Sequence, residues 1–328
     1  MDVGNFTTPS FLEDDSETND SAAAIVDEPS PTAQIVFGVA ILLAGVTGII
    51  GNGLALQALY ACKALRSPKH YLVLNLYVTN ALLCVMYCST TVWGSFTHTW
   101  TVGEIGRDVM GFSVSVMTIV MMTTQFAIAV QRVAVAFNPL TAAVNITRGK
   151  MLLTAATTWI YSVLLMLPPL LGWNRFIIDR TGVSVMFDYL SSDDLSRAYV
   201  IALLIFAFVL PLIGIVCCYS YVLVAVKRSR QSANVKSTER TCRRDRKTAV
   251  VALGLSVLFC LSWAPYAMVV LLSLCKITVP VMYVMIASAI AKCASTIDPM
   301  MFALSLPKVR QYYREKMGKH FSGLLCRK

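Results

Sequence analysis

The chain has 328 residues, of which 56% are hydrophobic and 14% charged, with a formal net charge of +10. Soluble domains carry about 25% charged residues, so this composition excludes an ordinary soluble domain. The basic excess follows the membrane topology described below and does not indicate nucleic-acid binding.

The chain begins with an acidic, polar segment. Residues 1–33 hold eight Asp and Glu residues and no Lys or Arg. This composition predicts a disordered extracellular tail. Asn5 and Asn19 lie in Asn-X-Thr and Asn-X-Ser sequons on the predicted outer side, so both are expected to be glycosylated.

Seven apolar blocks follow, and each is long enough for the roughly 20 residues that a membrane-spanning helix needs. The blocks cover residues 34–60, 71–95, 109–131, 151–172, 198–226, 248–275 and 277–305. They lack the short alternating pattern of barrel strands. We therefore expect an all-α membrane protein with a seven-transmembrane helix bundle over 34–305, and a short amphipathic cytosolic helix and tail over 306–328.

The basic residues predict the orientation of this bundle. The loops after blocks one, three and five, together with the tail, hold 22 of the 28 Lys and Arg residues. The positive-inside rule therefore places the N-terminus outside and the tail in the cytosol. We expect a multi-pass protein of the cell membrane, embedded in the lipid bilayer.

Proline and aromatic residues occur together inside the predicted spans. Pro211 and Pro265 each remove a backbone donor and should kink their helices. Trp263 and Tyr266 are three residues apart, so they share a helix face, and Phe208 lies one turn before Pro211. These aromatics could form a ligand pocket or only fill the bundle core.

The cytosolic helix ends carry opposite charges. Arg132 closes the third span, and Asp245 opens the sixth. They could pair and hold the bundle shut, or each could extend toward the membrane surface. Beyond the seventh span, the basic sequence "LPKVRQYYREKMGKHF" predicts an interfacial amphipathic helix. Cys326 after it is either an acylation site or a plain thiol.

Lys292 and Asp298 are the only Lys, Arg, Asp or Glu residues within the seven blocks. They are six residues, or about 9 Å, apart along a helix, so they are poorly placed to pair with each other. A buried lysine that loses its proton can form a Schiff base with an aldehyde. An ion pair with another helix and a proton relay are the alternatives.

The chain resembles the animal opsins, which are retinal-binding members of the rhodopsin-like G-protein-coupled receptors. The resemblance covers about residues 34–320. It includes "GWNRFIIDRTGVSVMFDY" in the second outer loop, "WAPY" at residues 263–266, and "SLPKVR" after the seventh span. Lys292 precedes the Asp298-Pro299 pair by six residues, which is the spacing that the retinal lysine of opsins keeps from the corresponding pair. This spacing and the outer loop carry the resemblance.

The resemblance implies a light-sensing receptor, not an enzyme, with retinal on Lys292. Retinal would be 11-cis in the dark and all-trans after light, and would activate a heterotrimeric G protein. Arrestin and a receptor kinase are implied as further partners, and no metal is implied. The implied retinal-contacting residues are Trp263, Tyr266, Phe208, Tyr189, Thr118 and Ser288. The implied signalling residues are Arg132, Asp245, Tyr219, Asn80, Asp298 and Phe302.

The chain also departs from the family pattern. Arg107 and Val185 stand where the family has its outer disulfide, so packing and salt bridges should hold the outer loop. Gln131 replaces the acid before the arginine of the third helix. Asn80 and Asp298 exchange the family's acid and amide between helices two and seven, so we expect them to share one polar cluster.

The counterion of the Schiff base is the remaining open position. Met110 stands where vertebrate visual opsins have a glutamate. Asp179 lies where many invertebrate opsins keep a carboxylate, although Arg180 beside it could neutralise it. Asp108 is the alternative counterion.

Two other functions are also compatible with the sequence: a retinal photoisomerase, and a receptor for another small molecule. A microbial-type pump would need acids along the third helix, where none lies between Asp108 and Arg132.

Overall fold

The computed structural model describes residues 28–137, 142, 144–231, 236–305 and 309–316. Side chains at positions 64, 226, 228–231, 236–252, 255 and 298–305 are outside the described set. The predicted sites Asn5, Asn19 and Cys326 therefore lie outside the described residues. The same holds for the side chains of Asp245, Asp298 and Phe302.

Within these ranges the chain forms seven long helical rods. They are α1 (Pro31–Ala61), α2 (Tyr71–Tyr87, continued by a π-helical turn Cys88–Val92 and by Trp93–Thr97), α3 (Gly103–Phe137), α4 (Arg148–Met166), α5 (Asp194–Leu203, a π-helical turn Leu204–Val209 and Leu210–Gln231), α6 (Lys236–Leu274) and α7 (Val281–Ser305). Six of them meet the length and hydropathy of a membrane span, and α7 contributes a shorter apolar stretch, Val281–Ile297. The predicted seven-helix bundle is confirmed.

Side-chain oxygens cap several helix starts, where the first backbone N–H groups lack partners. Ser30 Oγ accepts from the Ala33 amide at 3.2 Å, and Pro31 then opens α1. Asp193 accepts from the Ser196 amide at 2.7 Å at the start of α5. These local signals make the first turns of α1 and α5 begin where they do.

Buried and half-buried amides connect the helices inside the bundle. Asn52 Nδ2 on α1 donates to the Ser295 carbonyl on α7 at 2.9 Å. Asn75 on α2 donates to Thr124 Oγ1 on α3 at 2.9 Å and accepts from Trp159 Nε1 on α4 at 2.9 Å. A buried polar group is costly unless it is bonded, so these contacts favour one packing arrangement.

A short antiparallel hairpin covers the outer end of the bundle. Strand β1 (Phe176–Ile178) pairs with β2 (Val185–Phe187), with Ile177 opposite Met186. The all-α prediction did not include this sheet. Its signal was present as apolar and β-branched residues on both sides of "DRTG", and Gly182 adopts φ 75° in the connecting turn.

The hairpin is fixed to its surroundings by polar contacts and close packing. Arg175 Nε pairs with Asp188 Oδ2 at 2.9 Å, and Asn174 Nδ2 donates to the Asp188 carbonyl at 3.0 Å. Phe176 lies directly on α3 at Gly111, where an added Cβ would be 2.5 Å from the Phe176 ring. These contacts connect the hairpin to the rest of its loop and to α3.

Candidate functional site

A cavity of about 170 Å³ lies inside the bundle, below the hairpin and between α3, α5, α6 and α7. Its walls are mostly apolar, and its polar groups are few. The lining includes Tyr87, Ser115, Thr118, Met122, Asp179, Ser184, Met186, Phe187, Phe208, Phe259, Trp263, Tyr266, Ser288 and Lys292. Such a cavity suits a largely apolar ligand that a few polar groups orient.

Lys292 reaches this cavity from α7. Its Nζ donates to Ser288 Oγ, one turn earlier on the same helix, at 2.6 Å, and to Ser184 Oγ of the outer loop at 3.5 Å. The Nζ also lies 5.9 Å from the centroid of the Phe37 ring. The amine therefore has two neutral hydroxyl partners and no ion pair within contact distance among the described residues.

Asp179 brings a carboxylate to the same cavity from the turn of the hairpin. Its side chain is only 3% exposed. Its Oδ1 accepts from the Thr181 amide at 3.0 Å and from the Thr181 hydroxyl. Burial raises the pKa of the Asp179 carboxyl, against the lowering effects of the Thr181 hydroxyl and the Lys292 charge. Asp179 and Lys292 thus interact electrostatically, although they do not form a direct ion pair.

Arg180, which could neutralise Asp179, and Asp108, the alternative counterion, each have another partner. Arg180 Nη1 donates to the Val279 carbonyl, near the end of the segment that leads into α7. Asp108 pairs with Arg107 Nε at 3.0 Å, and its side chain is 41% exposed. Asp108 is not among the described residues that line the cavity, whereas Asp179 is.

The aromatic residues singled out from the sequence meet at the cavity. Trp263 and Tyr266 of α6 and Phe208 of α5 all line it, together with Thr118 and Ser288. Tyr189 lies just behind this wall. It is buried and packs edge-on against Tyr266, with ring centroids 6.5 Å apart.

The predicted signalling residues lie toward the other end of the bundle. Tyr219 of α5 is buried, hydrogen-bonded to Ser256 of α6, and close enough to Arg132 for an electrostatic interaction. Asn80 of α2 is fully buried. The partners Asp245 and Asp298 have side chains outside the described residues, so the predicted latch and the predicted Asn80–Asp298 cluster stay predictions.

Sequence reasoning missed several residues of the cavity. Ser184 is the main omission, because it bonds Lys292 from the opposite side. Tyr87, Ser115 and Phe259 also line the cavity. A serine in a loop has no periodic pattern that marks it, and only the folding of the hairpin over α7 brings Ser184 to the lysine.

Comparison with known proteins agrees with this architecture. Residues 51–302 match the family model of the 7 transmembrane receptor (rhodopsin family). A Gq-coupled rhodopsin of Mizuhopecten yessoensis is 30% identical over 293 residues, which are 84% of this chain and 58% of that protein. Melanopsin of Felis catus is 30% identical over 311 residues, which are 90% of this chain and 62% of that protein.

A solved structure shares the fold. The crystal structure of squid rhodopsin aligns with a TM-score of 0.79 at 22% identity, covering 91% of this chain and 88% of that one. The chain spans about three fifths of the length of the curated relatives that it matches. The chain therefore belongs to the rhodopsin family of seven-transmembrane receptors and, within it, resembles the invertebrate-type opsins.

Proposed function

We propose that this chain is a light-sensing G-protein-coupled receptor that carries retinal on Lys292. The observation that carries the proposal is one lysine at an apolar internal cavity, bonded only to Ser288 and Ser184 among the described residues. The names of its relatives, rhodopsin and melanopsin, support the same function.

The cavity fits retinal in its chemistry. Retinal is an elongated apolar aldehyde, and the cavity offers apolar and aromatic walls with an amine at one side. When bound, retinal supplies absorption of light and a change of shape as 11-cis becomes all-trans. Lys292 would hold it covalently, because an amine in an apolar site is a nucleophile toward aldehydes.

The other cavity residues would orient this group and tune its charge. Asp179 would supply the anion that a cationic nitrogen on Lys292 requires in an apolar site. Ser184 and Ser288 would fix the nitrogen between loop and helix. Trp263 of α6 lies against the same space, so a change in the shape of the ligand would act directly on this helix.

The response would be read on the cytosolic side. A displacement of α6 would separate Arg132 from Asp245 and open the inner face to a heterotrimeric G protein. One relative is named as Gq-coupled, which supports this partner. Arrestin and a receptor kinase would act on the same face. We place the chain in the cell membrane with its N-terminus outside.

The test is a spectrum of the purified full chain mixed with 11-cis retinal. We expect a light-sensitive band beyond the absorption of free retinal, and retinal that borohydride traps on the protein. Lys292→Ala should abolish both, whereas Lys69→Ala, at an exposed lysine, should change neither. Equal trapping in Lys292→Ala would contradict the attachment site. A visible band without light-dependent G-protein activation would favour a photoisomerase. The absence of a band would favour a receptor for another small molecule.

A further inference from the structure

Three elements meet beside the turn of the hairpin, residues 179–184, at the outer end of the bundle. They are the start of α1, the end of α2 and the turn itself. At Gly38 of α1, an added Cβ would be 2.5 Å from Ser95 Cβ of α2. At Gly94 of α2, an added Cβ would be 3.2 Å from Val183 Cβ of the turn. The two helices and the turn are therefore in direct contact.

Gln34 of α1 lies at this junction and contacts both neighbours. Its side chain is buried. Its Nε2 donates to the Thr181 carbonyl of the turn at 3.4 Å, and its Oε1 lies 2.8 Å from Nδ1 of His98, directly after α2. The same Nε2 would be 3.3 Å from a Cβ added at Gly182. One amide therefore joins the turn to the ends of both helices.

The donors and acceptors of these groups fix the direction of each bond. A backbone carbonyl only accepts, so the amide nitrogen of Gln34, and not its oxygen, must face Thr181. The amide oxygen then faces His98, and it also only accepts. His98 Nδ1 must therefore carry a hydrogen. Donation runs from His98 to Gln34 and from Gln34 to Thr181, and we call these two contacts the outer clamp.

The residue that the outer clamp holds is the one that fixes Asp179. Thr181 is fully buried, and both its amide and its hydroxyl donate to Asp179 Oδ1. The Gly182 amide also donates to the Asp179 carbonyl, at 3.0 Å. Because these bonds tie the Asp179 carboxyl group to the turn, a contact that holds the Thr181 carbonyl also holds that carboxyl group.

We propose that Gln34 and His98 are positioning residues for Asp179, which lock the turn of the hairpin to α1 and α2 and so hold the Asp179 carboxyl group beside the cavity. His98 orients the Gln34 amide, and Gln34 holds the Thr181 carbonyl. Neither of the two lines the cavity. The value of this position to the pigment rests on the proposed light sensing, whereas the outer clamp itself does not.

Substitutions of His98 provide a matched test. Its φ of 57° and ψ of 19° are left-handed, a conformation that Asn, Asp and His adopt more readily than other non-glycine residues. His98→Asn keeps an N–H donor on the side chain, and His98→Asp replaces it with an acceptor. Only the bond to Gln34 then separates the two variants. Thr99→Asp, at the exposed neighbouring position, adds a negative charge outside the outer clamp and is the control.

Hydrogen–deuterium exchange of the purified, retinal-free full chain in lipid nanodiscs measures the turn directly. In peptides that cover residues 179–184, His98→Asp should raise the exchange rate about fivefold, the effect of one lost hydrogen bond. His98→Asn and Thr99→Asp should leave the rate unchanged, and peptides of α4 are the internal reference. An unchanged rate in His98→Asp, or an equal rise in either of the other two variants, would overturn the proposal.

Gln34→Leu tests whether His98 acts through Gln34. This variant should raise the exchange rate of the same peptides at least as much as His98→Asp does. Adding His98→Asp to Gln34→Leu should have no further effect, because the group through which His98 acts is already gone. Additive effects of the two substitutions would show that His98 reaches the turn by another route, which contradicts the proposed order of contacts.

The spectrum of the retinal-loaded protein tests the effect on Asp179. As pH is raised, the visible band should convert to an ultraviolet form at lower pH in His98→Asp than in the unsubstituted chain, because a displaced carboxylate stabilises a cationic nitrogen on Lys292 less. His98→Asn should match the unsubstituted chain. Unchanged conversion in His98→Asp would refute the positioning of Asp179. If the unsubstituted chain formed no pigment, the proposed light sensing would fail, and the exchange rates would still decide whether the outer clamp exists.

Discussion

Asp179 has a carboxylate that is buried beside the cavity but bonded to Thr181 rather than to Lys292. This arrangement holds the carboxyl group in position whether or not the lysine is modified. It also explains how a loop residue can act on a group of α7: the Thr181 contacts fix its position, and its charge acts through the cavity.

The first prediction concerns the colour of the pigment. Asp179→Asn should move the dark absorption band into the ultraviolet near neutral pH, because a cationic nitrogen on Lys292 would lose its nearby anion and then its proton. The measurement is an absorption spectrum of the retinal-loaded variant. Asp108→Asn is the matched control, since Asp108 pairs with Arg107 away from the cavity, and it should keep the visible band. An ultraviolet shift in Asp108→Asn alone would place the counterion on α3.

The second prediction concerns stability and pH in the retinal-free protein. The pKa of Asp179 is raised, chiefly by burial, so the stability that this carboxyl contributes is present at low pH and is lost as pH rises through the raised pKa. The amide that the Asp179→Asn variant carries instead does not titrate. As pH rises from the usual Asp pKa to the raised pKa of Asp179, the free energy of unfolding of the unsubstituted protein should therefore fall relative to that of the variant. The expected change in this difference is about 1.4 kcal/mol per pH unit.

Thermal unfolding midpoints of both proteins between about pH 4, the usual Asp pKa, and neutral pH provide the check. Curves that stay parallel over this range would show that the carboxyl is not held at a raised pKa.

At the scale of elements, the hairpin depends on its contact with α3. Phe176 packs where Gly111 has no side chain, and a Cβ there would meet three carbon atoms of Phe176 within 3 Å. The third prediction is that Gly111→Ala displaces β1, and with it the turn that holds Asp179. Overpacking should lower the free energy of unfolding by about 1–3 kcal/mol. We therefore expect a lower thermal unfolding midpoint and a shifted or broadened visible band.

The control for Gly111→Ala is Gly149→Ala on α4, where an added Cβ would meet nothing within 4 Å. That substitution should leave the spectrum unchanged and, within a helix, should not reduce stability. If Gly111→Ala gave the same spectrum and midpoint as the unsubstituted protein, the hairpin would not be positioned by this contact.

The elements differ in how far the sequence predicts them. The spans are long apolar runs, so all seven were predicted, but α3 begins at Gly103 rather than 109 and α6 at Lys236 rather than 248. The π-helical turn Leu204–Val209 was not predicted, although Pro211 marked the region, because proline removes a donor without specifying how the preceding turn adjusts. The hairpin was missed because its strands have only three residues each, which is too short for a periodic pattern to stand out.

The same contrast holds for the site. Lys292 could be singled out because a charge within an apolar span is expensive and rare. Asp179 was identified only through resemblance, since acids in loops are common. Ser184 had no signal of its own, because its role depends on the hairpin that brings it to Lys292.

At the scale of the whole molecule, the proposed light sensing would require that the cavity and the proposed cytosolic ends of the helices share one equilibrium. The α6 rod joins them, since Trp263 lines the cavity and Asp245 lies on the same helix. The fourth prediction is that Asp245→Ala raises G-protein activation in the dark, because the proposed Arg132–Asp245 pair would be lost and Gln131 carries no charge to replace Asp245. We also expect the unsubstituted chain to signal more in the dark than opsins with an acid at that position.

Nucleotide exchange by a G protein, measured in darkness, tests this prediction. Residues 309–316 form a short helix after α7, and Glu315 on it is exposed. Glu315→Ala removes another acid on the proposed cytosolic side and should leave dark exchange unchanged. Dark exchange that fell or stayed level in Asp245→Ala would rule out the latch.

The outer loop has a consequence for handling the protein in the laboratory. Residues 172–193 contain no cysteine, and the hairpin is held by the Arg175–Asp188 pair, by Asn174 and by the packing of Phe176. The lid over the cavity can therefore fold without an oxidative step and should tolerate dithiothreitol. Preparation in reducing buffer, or expression in a reducing compartment, should yield the same pigment spectrum as preparation in air.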